Sequence, residues 1–457
     1  MTGRTPASSR VTDMFAWRMC TRATHADYRS QMRKTLVHTL LAGSLCAGLA
    51  GAAPVQAAPA APARATPDRQ IDYKQWTSAA QLTNGTLAGV RVADGRLRMG
   101  TPIGSMRYVD PHGHRTKTYA FGHWTSQWVS PGFGLTELVP SWDATTGSDT
   151  WVRIEVRGKG ASGRSSWDTI ANWAAGDARF HRTNAGEQSD DLARVDTDTW
   201  KGNFSVEFTS WQLRATLFRR AGTSATPFVD TVGAMTSHLP QVGGVRTSVP
   251  GVASGITLQV PTYSQMIHRG EYPQYGNGGE AWCSPTSTSM VLGYYNRLPS
   301  AREYSWVNAG YRDRFIDHAA RMTYDYEYGG TGNWPFNTAY AATQADHAFV
   351  TRLRSLREAE RFIKAGIPVV ASVTFGSGEL DGAPISSTNG HLMVIVGFTD
   401  NGDVVVNDPA AIRNSGVRRT YRRGQFEDAW LPKSGGLSYI IRTKGERLPD
   451  RNGATNW

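Results

Sequence analysis

A Gly/Pro/Ser-rich run over residues 237–255 divides the chain into two stretches of different hydrophobic periodicity, which one uniform layered fold does not accommodate. Upstream, from about Ile71 to about Thr236, short alternating runs are separated by Gly, Asp and Asn turns. Val152, Ile154 and Val156 alternate with Arg153, Glu155 and Arg157, and Leu213, Ala215 and Leu217 face inward in the same way. Asp94-Gly95, set between Val90-Arg91-Val92 and Arg96-Leu97-Arg98, predicts a tight hairpin. Repeated strands with little helical period predict an all-β sandwich, jelly-roll-like, over residues 71–236. Downstream, residues 256–446 mix periods. Pro285 to Asn296 predicts a helix with Met290, Val291 and Tyr294 on its apolar side. Leu356 to Ala365 predicts a second helix, running into a buried-type strand from Ile367 to Val373. His391 to Phe398 and Asp403 to Asn407 predict two strands joined through Asn401-Gly402. The expectation is an α+β domain followed by a tail, 447–457.

The N-terminus reads as a leader. Met32-Arg33-Lys34 begins a positive stretch, Leu36 to Ala53 is apolar, and Val55-Gln56-Ala57 offers small residues for a signal peptidase. Residues 1–57 are therefore expected to leave on secretion, with the true start at Met32 and an Ala/Pro tether at 58–70. Leu45 directly before Cys46 argues against lipidation. The apolar stretch, broken by His38, three glycines and Ser44, is a poor span, so no membrane span is expected in the mature chain. Composition excludes a multi-span membrane protein and wholesale disorder: 40% hydrophobic, 19% charged, mean hydropathy −0.41. Net charge is +11, but the leader carries +5 of it, and the remaining Lys and Arg are scattered. No nucleic-acid partner is expected, because a basic stripe is the usual footprint. An anionic cell wall remains compatible with the charge.

Nine of the fifteen tryptophans lie in the β segment, which is what a core of large aromatics needs. Trp124 and Trp128 share parity, and Trp151 falls on the charged face of its strand. These three raise the expectation of a solvent-facing aromatic set that stacks on cell-wall polysaccharide. His112-Gly113-His114 is too little for a metal site. A Cys-based zinc site is excluded because two of the three cysteines, Cys20 and Cys46, leave with the leader. No metal or cofactor is expected.

The remaining cysteine, Cys283, stands in Gly278-Gly279-Glu280-Ala281-Trp282-Cys283-Ser284-Pro285, where a predicted helix begins. A thiol at a helix N-terminus feels the positive end of the macrodipole, which favours thiolate. The first-turn N–H groups also suit an oxyanion. A thiolate nucleophile calls for a base, and His391 opens an apolar strand after Thr388-Asn389-Gly390. A two- or four-residue loop around Asp400, Asn401 and Gly402 puts Asp408 on the face of His391, within diagonal reach; a three-residue loop favours Asn407 instead. Gln265, 18 residues upstream of Cys283, is a candidate side-chain oxyanion donor. Trp282 and Trp334 are candidate cleft residues.

Four segments carry a resemblance: Tyr263-Ser264-Gln265, Trp282-Cys283-Ser284-Pro285-Thr286-Ser287, Asn389-Gly390-His391-Leu392-Met393-Val394 and Val406-Asn407-Asp408-Pro409. Together they resemble the secreted, stand-alone relatives of the bacteriocin-processing cysteine peptidases (cysteine-peptidase family thirty-nine), a branch of the papain-like fold. That resemblance implies Gln265 as oxyanion glutamine, Cys283 as nucleophile, His391 as base and Asp408 as its orienter. Transporter-linked members usually carry an acidic residue before the Cys; Trp282 stands there and no transporter segments follow. The expected function is a secreted cysteine hydrolase of peptide or amide bonds, with a peptide or protein as substrate. The alternatives are a peptidoglycan amidase or endopeptidase, a transamidase using the same order of residues, and a wall-binding protein whose peptidase-like domain is inert.

Overall fold

The computed structural model describes residues 68–457, apart from His114 and Ser148. The expected leader and most of the tether lie outside the described residues, as does His114 of the histidine pair. Residues 69–457 form one compact unit.

Two seven-stranded antiparallel sheets make the N-terminal sandwich. One is built around Glu137–Thr145 and Phe228–His238, the other around Thr150–Gly160 and Ser210–Arg220. Alternation does its work as expected: Val152, Ile154, Val156, Leu213, Ala215 and Leu217 are buried between the sheets. Asp94 and Gly95 form a two-residue hairpin in which Ala93 faces Arg96 and both loop residues have positive φ, the geometry that matches strand twist.

The tryptophan expectation fails for two of its three residues. Trp124 is fully buried between the sheets, with Nε1 donating to the Leu82 carbonyl, while Trp128 lies beyond the end of the Thr116–Thr125 strand and stands on the outer face. Shared parity across that strand end carried no information. Trp151 does sit on the charged face of its strand. Phe180, Phe218 and Tyr119 cover it, Phe218 stacked at 3.7 Å, so it offers no surface for a sugar.

The C-terminal part is α+β. A six-stranded antiparallel sheet runs in the order His347–Arg352, Leu437–Arg442, Val369–Phe375, Thr388–Phe398, Val404–Asn407, Arg418–Tyr421. The helix Cys283–Tyr294 packs on it, with Ser287 Oγ donating to the Leu392 carbonyl at 3.0 Å. Sandwich and sheet share a polar and aromatic seam. Ser141 Oγ accepts the Val350 N–H, Asp143 binds His347, Glu137 binds Arg352, and Tyr73 stacks on Phe349.

The C-terminal residues and the Gly/Pro/Ser-rich run are fastened to the rest of the fold. Glu427 accepts from Ser248 N–H and hydroxyl. Thr455 accepts the Tyr73 N–H, and the Trp457 ring is fully buried with Nε1 on the Pro449 carbonyl.

Candidate active site

Cys283 is the first residue of its helix, behind the short turn Gly279–Ala281. Its backbone N–H therefore belongs to the first-turn groups outside the helical ladder, at the positive end of the dipole. Gly279 permits the entry: a Cβ there would stand 2.3 Å from the Gln265 carbonyl oxygen and 2.5 Å from the His268 backbone.

His391 lies on Thr388–Phe398 opposite Val373. The loop to the next strand is Thr399–Asp403, five residues, because Phe398 pairs with Val404. An odd loop alone would have turned Asp408 away from His391. A bulge between Ile395 and Gly397 reverses the parity, so that Ile395 pairs with Val406 and Val394 with Asn407. The bulge is held by residues 256–258: Leu258 N–H donates to Val396 and Phe398 N–H to Ile256. A Cβ on Gly397 would stand 2.4 Å from the Ile256 carbonyl oxygen, so glycine is needed where this segment crosses.

The register brings His391 Nε2 to 2.7 Å from Asp408 Oδ1. Asn407 is turned the other way, donating to the Pro261 carbonyl at 2.9 Å and accepting from Arg418. Asp408 is fully buried; Oδ2 accepts from Tyr421 hydroxyl at 2.8 Å and Oδ1 also accepts the Ala410 N–H at 3.0 Å. With Nε2 on the carboxylate, the remaining ring nitrogen serves the Cys283 thiol, which hydrogen-bonds the ring. Burial pulls His391 down, but the Asp408 charge and hydrogen bond, with Cys283 on the other side, push it up to about 10. Burial raises the Asp408 carboxyl, and the His391 charge together with the hydrogen bonds from His391, Tyr421 and the Ala410 N–H holds it below the usual carboxylate range.

Gln265 begins a 3-10 turn, Gln265–His268, and is buried. Its N–H donates to the Pro409 carbonyl, and its Nε2 donates one hydrogen to the Glu280 carbonyl at 2.7 Å. Ser264 hydrogen-bonds the Ala411 carbonyl, so the Gln265 turn and the Asp408 turn are knotted together beside the Cys283 helix.

The two candidate cleft tryptophans fare differently. Trp282 is not a cleft residue: its ring is fully buried against Ile316 and Ala320, with Nε1 on the Tyr275 carbonyl. Trp334 is half-buried at the start of the helix Trp334–Gln344, its N–H on Asp198 of the sandwich. Sequence reasoning missed Tyr421, which has no local motif and reaches Asp408 only through pairing of its strand with Val404–Asn407. It also missed Asp325, a buried carboxylate that accepts from Asn184 and Asn333 and ties the sandwich to the loop bonded to Ala281 through Thr331.

Comparison with known proteins gives two family matches, to the peptidase C39 N-terminal domain over residues 72–237 and to the Peptidase C39 like family over residues 257–437. Their bounds follow the sandwich and the α+β part. No curated protein matches. A solved structure described as "Structural basis for the promiscuous specificity of the carbohydrate-binding modules from the beta-sandwich super family" is 10% identical, with a TM-score of 0.16 over 36% of this chain. The chain spans 56% of that structure's length.

Proposed function

We propose that this chain, a relative of the C39-like cysteine peptidases, hydrolyses peptide or amide bonds outside the cell. The observation that carries the reading is the unbroken hydrogen-bonded series from the Cys283 thiol through His391 to Asp408 and Tyr421. Among the described residues no helix is long and apolar enough to cross a membrane.

In this reading the imidazolium stabilises the thiolate of Cys283, which attacks the carbonyl carbon. His391 then gives its proton to the leaving amine, and the resulting neutral imidazole deprotonates the water that hydrolyses the thioester. Asp408 keeps the ring oriented and charged. The Cys283 N–H and the second hydrogen on Gln265 Nε2 hold the oxyanion. Replacement of Gln265 with alanine is expected to lower kcat on the order of 10^2–10^3-fold with KM little changed. Steady-state kinetics on a substrate found by screening the full chain against peptide libraries and purified cell walls reads this. No hydrolysis of any member of either set would overturn the peptidase reading.

The sandwich is proposed to carry the enzyme to an anionic cell-wall polysaccharide. Trp128 and Trp167 are the two tryptophans of the outer sheet face that keep some exposure. Arg157 lies over both, Lys159 over Trp128 at 4.3 Å and Arg214 over Trp167 at 4.3 Å. Because cations already cover the ring faces, this ladder presents positive charge rather than bare stacking surface, which suits a polyanion. The pair Arg157→Ala and Lys159→Ala is expected to weaken sedimentation of the full chain with purified walls about tenfold, and roughly 0.5 M salt to do the same to the unmutated chain. Retention indifferent to both treatments sinks the targeting role.

A further inference from the structure

Behind the wall that carries Gln265 lies a second group of chemistry-bearing side chains, which the triad does not use. His268, Glu271 and Asp317 converge so that one ligand atom from each lies within 4.8 Å of the others. His268 Nδ1 is 2.8 Å from Glu271 Oε2 and 3.3 Å from Asp317 Oδ2. His268 and Asp317 are fully buried, while Glu271 keeps an edge toward solvent, its side chain 13% exposed.

Asp317 is the telling member. It projects from the helix Phe315–Thr323 into this group, and neither of its carboxylate oxygens accepts a well-formed hydrogen bond. A buried carboxylate left in that state is costly unless a cation or protein donors meet it. By contrast, Asp408 and Asp325 are equally buried and are fully furnished with donors. Two carboxylates compete for one imidazole.

We propose that His268 Nδ1, a Glu271 oxygen and an Asp317 oxygen bind a divalent transition-metal ion of the zinc type. One imidazole and two carboxylates form a mixed nitrogen–oxygen set that suits Zn²⁺ or Mn²⁺ better than Ca²⁺, which prefers oxygen alone. An ion about 2.1 Å from each ligand has tetrahedral edges of about 3.4 Å. The His268–Asp317 pair already stands near that spacing, and Glu271 must withdraw by roughly half an ångström, for which its solvent edge leaves room. On binding, the ion displaces the proton between Nδ1 and the carboxylates, and water completes the shell from the Glu271 side.

The consequence is mechanical. His268 closes the same short turn that Gln265 opens, and the backbone of that turn presses on Gly279 ahead of Cys283. An ion here clamps the turn to the Phe315–Thr323 helix and fixes one wall of the active site. The ion-binding claim stands apart from the peptidase reading; only its effect on Gln265 rests on it.

The test needs no substrate. The full chain, stripped with chelator and dialysed against Zn²⁺, is analysed for metal content and thermal midpoint, and loaded with Co²⁺ for its visible spectrum. One ion per chain, a raised midpoint and the d–d bands of a low-coordinate Co²⁺ site are expected. Glu271→Gln and Asp317→Asn should each weaken Zn²⁺ affinity at least tenfold and abolish the rise in midpoint. Glu271→Gln, at the most exposed of the three positions, keeps the test valid if Asp317→Asn fails to fold. Zn²⁺ content at trace level after loading overturns the proposal, as does equal loading of the Glu271→Gln chain.

Discussion

Replacing Cys283 with alanine is expected to lower hydrolysis by about 10^4-fold or more. The thiol is the group that forms the acyl intermediate in this reading. Among the described residues there is no second cysteine to substitute for it. Serine should rescue little, because His391 at a value near 10 is matched to holding a proton beside a thiolate, and a serine hydroxyl needs a base that takes one. Cys283 is small and 2% exposed, so removing its sulfur costs little folding stability beyond a small cavity. A thermal midpoint within a few degrees of the parent, with activity gone, separates chemistry from folding. Iodoacetamide should abolish activity in step with labelling of Cys283. A Cys283→Ala chain that keeps more than a few per cent of the parent's rate would falsify the covalent mechanism.

The parts of this site that could be read in the sequence are those whose signal is local. Cys283 was recognisable because glycines, a helix start and Pro285 stand beside it. An even loop places Asp408 on the face of His391; the loop has five residues instead, and the bulge at Val396 restores that face. That bulge depends on residues 256–258 crossing Gly397, a contact across about 140 positions of chain that no window of sequence displays. Trp151 shows the same limit from the other side. Its strand parity is right, yet Phe218 from the paired strand and Phe180 from a loop cover its ring. His268, Glu271 and Asp317 lie at spacings of 3 and 46, and only the packing of a helix against a turn makes them a group.

Replacing Asp408 with asparagine is expected to cut kcat/KM on the order of 10^3–10^4-fold at neutral pH and to move the alkaline limb of the pH profile toward acid. The sign follows from the shifts. His391 is raised from an ordinary value near 6.5 to about 10, so its charged form persists through the physiological range and is lost as pH rises through about 10. The parent's kcat/KM should therefore hold to high pH and fall only there. Asp408 is lowered, so its contribution is complete above the ordinary carboxylate range and fades as pH falls below it. The two shifts describe one interaction and are counted once. Asparagine keeps the shape but removes the charge, the larger of the two effects by which Asp408 raises His391. The ring then loses its proton at lower pH, and with it the partner that stabilises thiolate. Asparagine can also present its carbonyl to Nε2–H, so the ring stays oriented; what is lost is charge, and the activity loss should shrink at acid pH, where the imidazolium is again populated. Tyr421→Phe removes one hydrogen bond to the far oxygen and leaves the charge, so its profile should shift in the opposite sense if at all: a less well solvated carboxylate binds imidazolium more tightly. A Tyr421→Phe limb that moves toward acid as far as that of Asp408→Asn would mean that the hydroxyl, rather than the Asp408 charge, sets the proton affinity of His391.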